Sequence, residues 1–148
     1  MKLIYLLPII IGMVGILQGA LNKEMSLQIG VGQTVLIGMT LTFIFGITFY
    51  LVVKFFPDLF NPIYHLKAPL TTWRWWYLIP GVLGLLIVAL FPEAIYELGA
   101  VKTTVLLVAA QMVFSIFWDV TVEKLPITTF KSIGMVFAFL SVFFMGLK

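Results

Sequence analysis

IGVGQTVLIGMTLTFIFGITFYLVV, Ile29 to Val53, contains no Asp, Glu, Lys, Arg or His. At about 1.5 Å per residue, a helix of this length exceeds the ~30 Å hydrocarbon layer of a bilayer. The rest of the chain has the same character. Of its 148 residues 62% are hydrophobic and 10% charged, against about 25% charged in a soluble domain. That much apolar surface does not fit inside a soluble core of this size. The composition therefore reads as one transmembrane domain over residues 1–148, with no room for a soluble module. The absence of Cys excludes disulfides and thiolate metal or redox chemistry. The net charge of +3 is spread between apolar runs. It reads as a set of topology signals facing anionic lipid headgroups, with no nucleic-acid patch.

Five membrane helices are expected, so the fold class is an all-α polytopic bundle. The first covers about 3–21 and is stopped by Asn22-Lys23-Glu24. Met1-Lys2 ahead of an apolar run also resembles a signal peptide, cleaved after Ala20. The run is long for such a core, and Gln18-Gly19-Ala20-Leu21 is a poor cleavage site, which favours a retained helix. The second covers about 31–53, before Lys54 and Pro57. A polar loop, Asp58 to Thr72, follows. The third starts near Trp75. It either stops at Phe91, with Pro92 opening a short separate helix closed by Gly99, or continues through Pro92 to Leu98. The fourth covers about 101–118 and the fifth about 129–147, just after Pro126. None of these runs alternates as a β-barrel strand would.

Lys2, Lys54, Lys67, Arg74, Lys124 and Lys131 fall on one side of such a bundle, and Lys23, Lys102 and Lys148 on the other. The imbalance predicts a cytoplasmic N-terminus and an outside C-terminus. Trp73, Trp75, Trp76, Tyr77 and Trp118 share one face, where amphipathic rings settle at headgroup level.

Small residues recur at helical spacing. Gly12, Gly15 and Gly19 share a side of the first helix, and Gly38, Thr42 and Gly46 form a ladder on the second. Gly81 and Gly84 mark the third, Gly134 and Ala138 the fifth. Such positions allow close helix approach inside lipid. They serve either plain packing or a movable contact.

Polar groups inside the helices are few. Gln18 and Asn22 lie one turn apart, and Gln111, Ser115 and Asp119 form a stripe on the fourth helix. A buried amide without a partner is costly, so these groups face a partner helix or a wet cavity. Gln18, Asn22, Gln111 and Ser115 are the candidate substrate-binding residues, and an inter-helix hydrogen bond is the alternative role. Asp119, at the C-terminal end of its helix, sits against an unfavourable dipole and calls for a cation. Arg74, Lys124 and Lys131 are the candidates on its side. Asp119, with Glu93 and Glu97 at the opposite face, is a candidate for coupling or gating. Lys102 is placed to snorkel or to pair with Glu97. Gln33 reads as interfacial. His65 is a lone loop histidine without a second ligand at metal spacing. No P-loop, HExxH or GxSxG motif occurs, so neither enzyme chemistry nor a cofactor is expected.

Trp73-Arg74-Trp75-Trp76 followed by Ile79-Pro80-Gly81-Val82-Leu83-Gly84 is distinctive. So are Leu98-Gly99-Ala100 with Thr103-Thr104, then Ala109-Ala110-Gln111 and Asp119. With Gln18 and Asn22, these residues resemble the YdcZ-like family of small five-helix bacterial proteins in the drug/metabolite transporter superfamily. Glu93, Glu97, Lys102 and Val120-Thr121-Val122-Glu123 depart from that family's pattern. The resemblance implies half of a ten-helix, inverted-repeat transporter in the bacterial inner membrane. Two copies, a homodimer in opposite orientations, or this chain with an inverted paralogue, would surround a midplane site for a small organic solute or metabolite. Alternating access, with glycine-rich faces rocking against each other, is the expected mechanism. The competing expectation is a non-transporting membrane scaffold. A membrane enzyme would need Glu93 and Glu97 in an accessible cleft with a bound cofactor.

Overall fold

The computed structural model describes Ile4 and residues 6–146, and five α-helices account for most of them: α1 (Leu6–Ile29), α2 (Val31–Phe55), α3 (Ile79–Leu98), α4 (Ala100–Thr121) and α5 (Thr129–Gly146). Helices α1, α2 and α4, and α3 with the turn before it, are long and apolar enough to cross a bilayer. Helix α5 has 18 residues, about 27 Å of helix, and is the shorter apolar member. Leu3 and Leu147, the expected limits of the first and fifth helices, lie outside the described residues, as do Lys2 and Lys148. The chain divides into two compact units, residues 1–20 with 93–148, and residues 21–92.

Helix α1 runs on past the expected stop. Asn22, Lys23 and Glu24 remain helical, Ser26 Oγ donates to the Asn22 carbonyl at 2.7 Å, and Lys23 pairs with Glu24 at 3.3 Å. Charge alone does not end a helix; loss of the right-handed backbone does. That happens at Gly30, with φ 83° and ψ 154°, a region essentially closed to residues with a Cβ. A single residue separates α1 from α2.

The α3–α4 corner repeats this construction. Gly99 has φ 78° and ψ 159°. Its N–H donates to the Ile95 carbonyl at 3.0 Å and its carbonyl accepts from the Thr103 N–H at 3.1 Å; the Gly30 N–H donates to Ser26 at 3.0 Å and its carbonyl accepts from Thr34 at 3.1 Å. Both threonines are buried, and both hydroxyls bond locally: Thr34 Oγ1 to the Gly30 carbonyl at 3.0 Å, Thr103 Oγ1 to the Ala94 carbonyl at 2.9 Å. One sequence spacing relates Gly12 to Gly81, Gly15 to Gly84, Glu24 to Glu93, Gly30 to Gly99, Thr34 to Thr103 and Phe45 to Phe114. The pairs α1–α2 and α3–α4 are thus built on one pattern, and α5 stands outside it.

Helix α3 continues through Pro92, which is fully buried. This settles the choice left open by the sequence in favour of one helix to Leu98. Pro92 has no N–H, so the Val88 carbonyl loses its helical donor. Elsewhere hydroxyls in the apolar helices bond back to their own backbone: Thr42 to Gly38, Thr48 to Ile44, Thr104 to Ala100 and Thr121 to Phe117. Such bonds hide donors from lipid.

Candidate functional site

Helices α4 and α5 form a hairpin joined by residues 122–128. Helix α4 unwinds in a wide turn: the Val122 and Glu123 N–H groups both donate to the Trp118 carbonyl, and the Leu125 N–H donates to the Asp119 carbonyl at 2.9 Å. Lys124 closes it with φ 56°, the left-handed conformation common past helix ends. Thr128 then caps α5 through its Oγ1, which accepts from the Lys131 N–H at 3.4 Å. This turn sets the register of the hairpin. Close approach is allowed further along it by Gly134, where an added Cβ would meet Met112 Cε at 3.4 Å.

That register brings Lys131 to Asp119. The ammonium Nζ lies 2.5 Å from Asp119 Oδ2, and both side chains are about one-third exposed, at 38% and 31%. Of the three cations considered for Asp119, Lys131 is the partner found. Asp119 lies in the last turn of α4 and Lys131 in the first turn of α5. Each charge therefore opposes the dipole of its own helix and complements that of its neighbour.

The ion pair closes one end of an open cleft of about 280 Å³, lined by Val108, Gln111, Met112, Ser115, Ile116, Asp119 and Lys131. Gln111 and Ser115 are exposed and Asp119 half-buried. The i, i+4 spacing of the three puts them on one stripe. The stripe is polar, while most of the cleft wall is apolar. Such a surface can hold a small solute by hydrogen bonds from the amide and hydroxyl, with van der Waals contact along the wall.

The other candidates are not among the residues that line this cleft. Neither Gln18, exposed on α1, nor Asn22, half-buried, belongs to its lining. Glu93 and Glu97 are exposed, one turn apart near the end of α3, and among the described residues no ion pair joins Glu97 to Lys102. No three His, Cys, Asp or Glu residues among those described group in a way that could hold a metal. His65 Nε2 sits 3.0 Å from the Pro57 carbonyl and 3.2 Å from that of Phe60, a structural role within its loop.

The glycines divide by surroundings. A Cβ on Gly38 would lie 3.9 Å from Val88 Cγ1 of α3, ordinary contact, whereas one on Gly12, Gly15, Gly46, Gly81 or Gly84 would meet nothing within 4 Å. Thr42 is exposed and Gly19 is buried. Sequence reasoning gave the whole Gly38–Thr42–Gly46 ladder one role; among the described residues an added Cβ meets another helix at Gly38 and not at Gly46. It named Gly99 only as the close of an optional short helix and did not mark Gly30; the shared spacing of Gly30–Thr34 and Gly99–Thr103 is the signal that marks both corners.

The profile of a family described as "Putative inner membrane exporter, YdcZ" fits residues 3–144. No curated protein and no solved structure matches the chain. The fit covers α1 to α4, nearly all of α5 and the α4–α5 cleft, and the chain belongs to this YdcZ family of inner-membrane proteins.

Proposed function

We propose that the chain is one half of a secondary transporter that moves a small organic solute out across the inner membrane by alternating access. The family description supports the outward direction. On this reading residues 1–148 form one transmembrane domain with a cytoplasmic N-terminus, and the working particle is a dimer, antiparallel or made with an inverted paralogue. The chain carries a solute without transforming it and needs no cofactor.

One observation carries the reading. Gln111 and Ser115 are exposed in an open, largely apolar cleft on a helix that is itself a membrane span. An unpaired amide facing hydrocarbon costs several kcal/mol, about 2–7 by transfer scales. A second chain laid over the cleft removes that cost and encloses a hydrated space. The open faces at Gly15 and Gly46 leave room for a close neighbour. Gln111 and Ser115 then bond the solute, with Asp119 at the gate; Gln18 and Asn22 extend the polar path, and Glu93 and Glu97 are secondary gating candidates.

The test is efflux of a panel of small organic solutes from proteoliposomes. At least one solute should leave faster than from empty vesicles, and Gln111→Ala with Ser115→Ala should slow it about tenfold or more, the scale of one lost hydrogen bond. No flux of any solute from a dry, fully packed dimer would instead identify a scaffold.

A further inference from the structure

The connection between α2 and α3, from Phe56 to Leu78, is folded. It contains the short 3-10 turns Pro57–Leu59, Pro62–Tyr64, Leu70–Thr72 and Trp75–Leu78. Asn61 Oδ1 accepts from the Ile63 N–H at 3.2 Å, and the Thr72 hydroxyl donates to the Pro69 carbonyl at 2.9 Å. His65 reaches back to the carbonyls of Pro57 and Phe60. Phe49 of α2 stacks edge-on with Phe60 and Tyr64, centroids 5.7 and 6.0 Å away, and so ties the segment to the helix end.

This framework presents two kinds of group outward. Leu59, Ile63 and Trp75 are 77%, 72% and 71% exposed. Lys67 and Arg74, and Lys54 in the last turn of α2 beside the segment, are also exposed, none of them in an ion pair among the described residues, and Asp58 is the segment's sole carboxylate. Water alone does not suit the first set, and hydrocarbon does not suit the second. Arg74 stands between Trp73 and Trp75, so a planar phosphate-binding fork lies beside rings that settle at headgroup depth.

We propose that this segment is a seat for anionic phospholipid. Lys54, Lys67 and Arg74 hold the phosphate groups while Trp73, Trp75 and Trp76 enter the acyl boundary, which pins the α2–α3 connection to the surface of the charged leaflet. Charge complementarity selects this occupant: a net positive, aromatic-rich surface fits an anionic bilayer interface, and a second copy of the same segment would repel it. The seat is independent of what the protein carries.

The chain has four tryptophans, and three are in this segment. The full chain with Trp118→Phe therefore reports on the seat alone. It is reconstituted in phosphatidylcholine vesicles containing brominated phosphatidylglycerol or, at the same mole fraction, brominated phosphatidylcholine, and tryptophan quenching is compared. Phosphatidylglycerol should be preferred about fivefold at low salt, the scale of one cation at an anionic surface. The preference should weaken as salt rises. Lys54→Gln with Lys67→Gln and Arg74→Gln should bring the ratio close to one, while Arg74→Lys and Lys124→Gln, outside the segment, should leave most of it. Equal quenching by the two lipids, an unchanged ratio in the triple variant, or an equal loss from Lys124→Gln would overturn the proposal. So would abolition of the preference by inorganic phosphate but not by chloride at equal ionic strength, which marks a soluble-anion site. Tryptophans shielded from both lipids until the protein is diluted in the bilayer would mean that a second copy covers the segment, and would also overturn it.

Discussion

The Asp119 carboxylate and the Lys131 ammonium meet across the α4–α5 turn, each at the wrong end of its own helix and the right end of its neighbour's. The pair neutralises a carboxylate that would otherwise face the cleft uncompensated. Partial exposure limits its net worth to about 0.5–1 kcal/mol. Lys131→Met and Asp119→Asn should each lower the thermal stability of the purified protein, and the double variant should lose less than the sum of the two. Strict additivity would show that the pair does not couple the helices. Asp119→Asn should also alter solute efflux; identical efflux of a transported solute would remove Asp119 from the mechanism.

Gly30→Ala and Gly99→Ala should be similarly destabilising. Both glycines have φ near +80° and extended ψ, where a Cβ costs about 1–3 kcal/mol. Thermal unfolding in detergent measures this directly. A neutral Ala at either corner would mean that the corner relaxes to another conformation.

Gly38 and Gly46 should separate packing within the chain from packing between chains. Gly38→Leu drives a side chain toward Val88 of α3 and should lower the stability of the single chain; at Gly46 an added Cβ meets nothing within 4 Å, so Gly46→Leu should weaken the proposed dimer more than the single chain. Light scattering in detergent with parallel melting curves distinguishes the two. A dimer untouched by Gly46→Leu would place that face against lipid.

The short α5 makes the location of Lys148 informative. A helix of 18 residues is about 27 Å long and would need slight thinning of the bilayer to cross it. Reporter fusions after Lys148 should place most C-termini outside the cytoplasm. A purely cytoplasmic reporter would mean four crossings, with α5 lying at the surface.

The membrane class and the helices were legible because uncharged runs of spanning length leave few alternatives. The spacing of Gln111, Ser115 and Asp119 likewise announced one stripe. The end of α1 was not legible. Asn22-Lys23-Glu24 looks like a stop, but the backbone turns only at Gly30, where φ changes sign. Nor could the sequence choose among Arg74, Lys124 and Lys131 for Asp119. That choice depends on the Lys124 turn, whose left-handed residue carries no Gly or Asn signature. The direction in which each glycine faces depends on helix rotation, which small-residue spacing does not fix.

The account rests on a second chain turning the α4–α5 cleft into a water-filled space, and the absence of Cys makes a direct measurement available. Ser115→Cys is placed in lipid nanodiscs holding one copy or two and treated with a charged, membrane-impermeant thiol reagent, which needs an ionised thiol in contact with water. Fast modification in the two-copy discs and slow modification in the one-copy discs is the predicted result. A thiol equally unreactive in both would show the paired cleft to be dry and contradict the account.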